Sequence, residues 1–204
     1  MAQSVELTFD ETADRAVTDQ WRRLAEAGLP SAQRPQPSAH HRPHLTLFAG
    51  DHISAATEAE LPGLVAGLDL EIRIGSVLLF GPRRNTYVLV RQVVPSVELL
   101  ALQQEVARVC GASRHGQFGP GRWSPHVTLA RRVAAAQVGP ALVELGAVEE
   151  VSASVRDCRR WDGDARVAWW LTRERSPADA EKEVGGRGHG QGGAQQVEQH
   201  QPER

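Results

Sequence analysis

Lysine and cysteine are nearly absent from this sequence. Of its 23 basic residues only Lys182 is a lysine, and its two cysteines, Cys110 and Cys158, lie far apart in the chain. Two isolated cysteines exclude a disulfide framework and a Cys-x-x-Cys pair, which fits the reducing cytoplasm, where we expect the protein to be located. The preference for arginine is typical of a GC-rich genome and, to a lesser degree, of proteins that need forked phosphate donors.

Long apolar runs are also missing. No stretch approaches the ~20 apolar residues of a membrane-spanning helix, so we expect no membrane partner. The N-terminus carries Glu6 and Asp10 where a secretory signal would need a basic region and an apolar core. The sequence therefore predicts no signal peptide.

A large charge of either sign is absent as well, because the net charge is −2. Proteins that follow a long nucleic-acid backbone neutralise many phosphates with a basic surface, so this charge argues against that class. It does not exclude recognition of one nucleotide or one RNA end. With 204 residues and 41% hydrophobic content, the chain is long enough to bury the core of one medium-sized domain or of two fused lobes.

The most informative feature of the sequence is a five-residue pattern that occurs twice. Residues 43–47 read Pro-His-Leu-Thr-Leu, and residues 125–129 read Pro-His-Val-Thr-Leu. In each copy apolar residues alternate with a His-Thr pair at period two, which predicts a β-strand with both polar side chains on one face. His44 and Thr46 are thus matched by His126 and Thr128.

The surrounding sequence predicts a frame of strand, helix, His-x-Thr strand, helix and strand that occurs twice. Asp10 is expected to cap the first helix and Thr57 the second, whereas Pro95 and Ser96 open a third and Pro140 interrupts a fourth. The other predicted strands cover residues 4–9, 70–80 with a break at Gly81-Pro82, 87–90, and a final hairpin of 150–161 and 165–172.

This duplication predicts a pseudo-twofold arrangement that sets one motif opposite the other, with the functional site in the cleft between the lobes. The predicted domain covers residues 1–175, with lobes at about 1–82 and 83–175 that are either separate or intertwined. Residues 176–204 are rich in Gly, Gln, Glu and His and have no apolar period, so we expect a disordered tail there.

The paired motifs in this frame resemble the 2H phosphoesterase superfamily, specifically its 2′-5′ RNA ligase and RNA 2′,3′-cyclic phosphodiesterase group. The resemblance covers about residues 4–173 and extends to Val-Glu-Leu-Thr-Phe-Asp at 5–10, Ala-Gly-Leu-Pro-Ser at 27–31 and Phe-Gly-Pro-Gly-Arg-Trp at 118–123. It implies a bilobal α+β fold, in which two antiparallel-rich sheets flank a central cleft and the helices lie outside. It also implies chemistry that needs no metal and no other cofactor.

The motif residues suit the opening of a cyclic phosphodiester. That reaction needs a base for water and an acid for the departing ribose oxygen, and imidazole can be either near neutral pH. Thr46 and Thr128 can donate hydrogen bonds to the nonbridging oxygens as negative charge develops there. The resemblance implies that His126 is the base and His44 the acid, which gives a 2′-phosphate, although pseudo-symmetry makes the two histidines interchangeable on sequence grounds.

Residues beside the motifs are candidates for holding the substrate. The family pattern His-x-Thr-x-x-Arg falls on Arg131, whereas strict alternation from His126 would aim Arg132 into the cleft, and a β-bulge would reconcile the two. Arg42 is a candidate for steering phosphate. Aromatic side chains commonly stack on RNA bases, and Phe118, in a glycine-rich loop, is our candidate among Phe48, Tyr87, Phe118 and Trp123.

The sequence thus predicts a metal-independent phosphodiesterase that acts on RNA 3′ ends or on small cyclic-phosphate nucleotides, with reversible 2′-5′ RNA ligase activity as an accompanying possibility. We expect a monomer, because no protein partner is implied. His40, His41, Asp51 and His52 fit no zinc-binding spacing. The alternatives are the same chemistry on a cyclic phosphate of ADP-ribose, or a non-catalytic module that binds nucleotides or RNA.

Overall fold

The computed structural model describes residues 3–35 and 40–172 of the chain. Within these ranges it contains four helices and seven strands, which confirms the α+β prediction. The predicted tail lies outside the described residues. In chain order the elements are β1 Gln3–Phe9, α1 Glu11–Glu26, β2 Leu45–Gly50, α2 Ala55–Val65, β3 Leu70–Arg83, β4 Thr86–Val94, α3 Val97–Val109, β5 His126–Ala134, α4 Ala135–Leu145, β6 Val151–Asp162 and β7 Val167–Trp170.

The strands form one antiparallel sheet in the order β1-β2-β5-β4-β3-β6-β7. Because β1 also pairs with β6, the six strands β1 to β6 close into a ring. The two motif strands, β2 and β5, are neighbours in this ring, but their ladder contains a single residue pair, Leu45 with Val127. We refer to β1, β2 and β6 as the His44 half of the ring and to β3, β4 and β5 as the His126 half.

The two faces of the sheet differ in chemistry, as period-two alternation predicts. On the motif strands Leu45, Leu47, Val127 and Leu129 belong to the buried core, so the histidines and threonines project from the opposite face. Helices cover the core face in two pairs, α1 with α4 and α2 with α3. Within the described ranges, no helix is both long and apolar enough to cross a membrane.

Two of the predicted helix starts are confirmed by their hydrogen bonds. The Asp10 carboxylate accepts from the amides of Thr12 and Ala13 at 2.9 and 3.0 Å, and thus caps α1. Ser96 caps α3 through the amide of Leu99 at 3.2 Å. These caps fix where each helix leaves the sheet.

The predicted cap of α2 is wrong. Ser54, rather than Thr57, is the N-cap, and its hydroxyl accepts from the Thr57 amide at 3.1 Å. The reason is that Ser54 has the extended backbone of a cap residue, whereas Thr57 already lies inside the helix.

The predicted interruption of α4 is also wrong, because the helix continues through Pro140. Pro140 and Ala136, whose carbonyl loses its intrahelical partner, are both exposed, so water can satisfy that carbonyl. The buried residues Ala141 and Leu145 anchor the following turn to the core.

The predicted strand break at Gly81-Pro82 is wrong as well. β3 runs on to Arg83, and a register shift between Phe80 and Arg83 accommodates the two residues within the β3–β4 hairpin. The turn consists of Arg84 and Asn85, both with positive φ (50° and 61°), which matches the right-handed twist of a two-residue hairpin. The hairpin therefore extends farther than the sequence indicates.

Candidate active site

The two motif histidines are held in the same way. Nδ1 of His44 lies 3.0 Å from the carbonyl oxygen of Arg42, and Nδ1 of His126 lies 2.8 Å from that of Ser124. Because a carbonyl oxygen can only accept, Nδ1 carries the proton in both rings. Nε2 is therefore the atom of each imidazole that can exchange a proton with a substrate.

The two motif threonines are braced by tryptophans from outside their own strands. Trp21 donates its indole N–H to the carbonyl of Thr128 at 2.9 Å, and Trp123 donates to the carbonyl of Thr46 at 3.1 Å. Each tryptophan precedes one motif in the chain and contacts the other motif. We call these two hydrogen bonds the cross-brace, since they tie the backbone of each motif strand to the opposite half of the duplication.

A cleft of about 550 Å³ lies against His44. Of the residues predicted from the sequence, His44, Thr128, Arg42, Arg131 and Arg132 line it, whereas Thr46, His126 and Phe118 are not among its lining residues. The other lining residues are Glu6, Trp21, Ser31, Ala32, Gln33, Arg34, His40, His41, Arg159 and Trp161.

The electrostatic surroundings of His126 favour its neutral form. Burial lowers its pKa, the charges of Arg131 and His44 lower it further, and the hydrogen bond to Ser124 opposes them. Thr128, two residues along the same face of β5, lines the cleft, whereas His126 does not. The ring of Phe80 meets that of His126 edge-on, with centroids 4.8 Å apart and planes at 87°.

Arg131 and Arg132 form a β-bulge on β5. Ala130 pairs with Leu89 and Val133 pairs with Tyr87. Two residues of β5, Arg131 and Arg132, therefore lie between these pairs, whereas β4 has only one residue there. Arg132 has a positive φ of 58°, as the extra residue of a bulge often does. Both arginines are exposed and line the cleft, which is the arrangement that reconciles the two alternatives left by the sequence.

Arg42 is held by other groups of the protein. Its guanidinium donates to the carbonyl of Phe9 at 2.8 Å and pairs with the Asp14 carboxylate at 2.5 Å. Burial raises the pKa of Asp14 to about 6, against the lowering effect of Arg42. Arg42 thus reaches the cleft as part of an ion pair.

Phe118 lies at the edge of the core. Its ring centroid is 5.7 Å from that of Phe48, and its carbonyl accepts a hydrogen bond from Gln103 at 3.1 Å. It belongs to the partly buried residues that pack around the hydrophobic core.

Comparisons with known proteins identify the family of this chain. The sequence profile of the 2′-5′ RNA ligase superfamily matches residues 9–166. The chain belongs to the 2′-5′ RNA ligase superfamily. This confirms the resemblance to 2H phosphoesterases that the paired motifs indicate.

Several solved structures are similar to this chain at low sequence identity. TT0787 of Thermus thermophilus is 21% identical, with a TM-score of 0.51 over 84% of this chain and 95% of its own. LigT of E. coli complexed with NADP⁺ is 16% identical, with a TM-score of 0.46 over 84% and 97% of the two chains. Usb1 of Kluyveromyces marxianus with uridine monophosphate is 11% identical, with a TM-score of 0.44 over 84% and 98%. The curated protein sequences contain no match to the chain.

Sequence reasoning missed a buried ion pair in this member of the 2′-5′ RNA ligase superfamily. Glu6 on β1 accepts hydrogen bonds from Nε and Nη2 of Arg159 on β6 at 2.9 and 2.8 Å, and both side chains are buried. Nη1 of Arg159 also donates to the carbonyl of His40 at 2.5 Å. One signal was available, because Glu6 alternates with the core residues Val5 and Leu7 and must therefore face away from the core.

The Glu6–Arg159 pair contacts the His44 ring. Nε2 of His44 is 3.7 Å from Oε1 of Glu6, and Oε1 also accepts from the Ser4 hydroxyl at 2.6 Å. Burial raises the pKa of Glu6, but the charges of His44 and Arg159 and the hydrogen bonds to that carboxylate outweigh it, so the pKa lies below its ordinary value. Glu6 is therefore an anion that can pair with a protonated His44.

The cleft of this superfamily member carries mainly positive charge. Among the described residues, five arginines line it (Arg34, Arg42, Arg131, Arg132 and Arg159), and Glu6 is the one acidic residue of the lining. Among the described residues, no group of three or more His, Cys, Asp or Glu side chains is arranged to hold a metal ion. Such a lining fits an anionic ligand and does not fit a cation site.

Proposed function

We propose that the protein is a metal-independent phosphodiesterase that opens 2′,3′-cyclic phosphates of RNA ends or of small nucleotides to 2′-phosphates. The observation that carries the proposal is the pair of histidines, each with Nδ1 on a backbone carbonyl and Nε2 available, beside a cleft rich in arginine. The same groups would catalyse 2′-5′ ligation in reverse, because a reversible reaction passes through the same transition state in both directions.

The surroundings of the two histidines support different roles. The lowered pKa of His126 leaves this imidazole neutral near pH 7 and thus able to accept a proton. His44 has the Glu6 carboxylate 3.7 Å from its Nε2, which suits an imidazolium that donates one. Titratable groups in contrasting environments mark the acid and the base of a catalytic pair, so His44 is the acid and His126 the base.

The proposed reaction is an in-line displacement at phosphorus. Nε2 of His126 takes a proton from water while the water oxygen bonds to phosphorus, and the bond between phosphorus and the 3′ oxygen breaks. Nε2 of His44 gives its proton to that oxygen, which leaves a 2′-phosphate. The hydroxyls of Thr46 and Thr128 donate to the nonbridging oxygens, where negative charge develops.

The arginines support both the substrate class and a mechanism without a metal. Arg34, Arg131 and Arg132 are exposed and form no ion pair with a described carboxylate, so they are free to draw in a phosphate. Their number favours a substrate with further phosphates, such as an RNA end. It would equally suit a cyclic phosphate of ADP-ribose, which is the alternative substrate. Positive charge from arginine and imidazolium serves where a phosphoryl-transfer enzyme would otherwise use a metal.

Turnover in EDTA tests the proposal. The protein is incubated with adenosine 2′,3′-cyclic phosphate, with an RNA that ends in a cyclic phosphate and with cyclic-phosphate ADP-ribose, and products are separated to identify 2′-phosphates. We expect His44→Ala and His126→Ala each to lower kcat/KM by about 100-fold or more. His52→Ala is the matched control, because His52 is exposed and lies outside the cleft. Turnover that survives both substitutions, or that disappears in EDTA, contradicts the mechanism, and binding without turnover favours a non-catalytic module.

A further inference from the structure

Phe80 occupies an unusual place for an aromatic residue of this protein. It is half-buried and lies near the end of β3, and its ring meets the ring of His126 edge-on at 4.8 Å. Among the described residues, it belongs neither to the buried core nor to the hydrophobic residues packed against the core. Its position is therefore not explained by core packing.

Strand pairing places Phe80 on the same face of the sheet as the second motif. Leu78 pairs with Val90, which in turn pairs with Thr128, and Phe80 pairs with Val88. Directly paired residues of antiparallel strands project to the same side, and residues two apart on a strand share a face. The apolar strip, defined as the half-buried residues Leu78, Phe80 and Val88, therefore shares the face of Thr128 and His126. None of the three belongs to the main core cluster, whereas Val90 on the same face is fully buried.

The corresponding face of the His44 half is charged. Glu6 pairs with Thr46 on one side and with Arg159 on the other, so the carboxylate, the guanidinium and the threonine share one face. The face of the sheet that carries the motif histidines thus has a polar, charged half around His44 and an apolar half beside His126. A nucleoside cyclic phosphate has the same division, because it joins an anionic phosphate to a flat, largely apolar base.

We propose that the apolar strip, with Phe80 at its outer end, is the binding site for the nucleobase of the substrate. This inference rests on the proposed phosphodiesterase function, and it assigns the base to Phe80 rather than to Phe118, whose ring packs on Phe48. A base against Phe80 puts its ribose next to His126, within reach of the water that this imidazole activates. Since every base has a π-face, stacking on Phe80 gives affinity with little preference among the four bases.

A comparison of two substrates tests the inference. Adenosine 2′,3′-cyclic phosphate carries a base, whereas glycerol 1,2-cyclic phosphate has the same reacting ring without one. We expect Phe80→Leu to lower kcat/KM for the nucleotide by about 10- to 100-fold, mainly through KM, and to lower it for the glycerol compound by less than about threefold. Leu79→Ala is the control, since Leu79 is 38% exposed and projects from the opposite face of the same strand, and we expect it to keep the ratio of the two substrates unchanged.

Two results would overturn the assignment. An equal loss on both substrates means that Phe80 acts through the His126 ring, and no loss on either means that the base lies elsewhere. Equilibrium binding keeps the test separate from catalysis. Phe80→Leu should weaken the binding of adenosine 2′-monophosphate (2′-AMP) about 10-fold or more and leave the binding of inorganic phosphate unaffected. If the wild-type protein turns over neither substrate but shows this binding difference, the base site stands and the proposed reaction fails. If 2′-AMP binds no tighter than phosphate, the base site fails.

Discussion

The two histidine motifs share a backbone arrangement but have different chemical surroundings. Each histidine donates from Nδ1 to the carbonyl two residues before it, and each threonine carbonyl accepts from a tryptophan. Around His44 lie Glu6 and Arg159, whereas the ring next to His126 is that of Phe80. The comparison teaches that the duplicated fold sets the backbone position of each imidazole, and that the neighbouring side chains give the two imidazoles different electrostatic surroundings. The proposed division into acid and base depends on that difference.

Among the substitutions that test this difference between the surroundings of His44 and His126, removal of the Glu6 charge should have the largest effect. In Glu6→Gln the buried Arg159 loses its counter-ion, which we expect to cost about 3 kcal/mol of unfolding free energy at neutral pH. The pKa of Glu6 is lowered from 4.5 in the fold, so its contribution is present above that value and is lost as acid protonates the carboxylate. The difference between wild type and variant, measured by denaturant unfolding, should therefore shrink as the pH falls below about 4.

The same substitution should change the pH profile of turnover. Because the Glu6 carboxylate lies 3.7 Å from Nε2 of the proposed acid His44, we expect Glu6→Gln to change the alkaline limb of the kcat profile and to leave in place the acid limb, which we assign to His126. Glu144→Gln is the matched control, because Glu144 is a partly exposed carboxylate paired with Arg23. A profile that shifts on both limbs together would show that the two halves are not electrostatically distinct.

An effect of intermediate size is expected for the cross-brace, which is the feature that both motifs have in common. Trp21→Phe and Trp123→Phe each keep an aromatic ring but leave a threonine carbonyl without its donor, and each should cost about 1–2 kcal/mol of unfolding free energy. In double-mutant cycles on kcat, Trp21→Phe should couple to Thr128→Val and not to Thr46→Val, and Trp123→Phe should show the reverse. Coupling of either tryptophan to both threonines would mean that the braces act on the whole site.

The smallest expected effect concerns the bulge at Arg131 and Arg132 on the His126 strand. Arg132 has φ of 58°, a region that glycine enters without strain. Arg132→Gly should therefore raise the unfolding free energy by about 0.5 kcal/mol, and it should raise KM for the cyclic nucleotide a few-fold because one cation leaves the cleft. Arg83→Gly, on the exposed hairpin, controls for the loss of a surface charge. A stability loss in Arg132→Gly would show that the side chain supports the bulge.

The local parts of this site could be predicted from the sequence. Period-two alternation in the two Pro-His-x-Thr-Leu segments assigned both strands and the face of each histidine, and Asp10 and Ser96 were correct caps because capping depends on near neighbours. The conflict between Arg131 and Arg132 pointed to a bulge, which the register of β4 and β5 contains.

The remaining parts depend on pairings between distant strands. Glu6 and Arg159 meet because β1 pairs with β6, and no local pattern encodes that pairing. The face on which Phe80 lies could not be predicted, because register shifts on both sides of the 77–80 segment interrupt the alternation of β3. Trp21 is one of the buried residues of α1, and its hydrogen bond to Thr128 follows from how α1 docks on the sheet.

The cross-brace also has a consequence for the order of folding. Its two hydrogen bonds join residues 107 and 77 positions apart, and the Glu6–Arg159 pair joins residues 153 positions apart. Each of these contacts closes a long loop, whose entropy must be lost before the contact stabilises anything. Either half of the chain alone would contain one complete motif but would lack the tryptophan that donates to the threonine carbonyl of that motif. We therefore expect the cross-braced arrangement of the two motifs to form late in folding, when β1 and β6 close the ring.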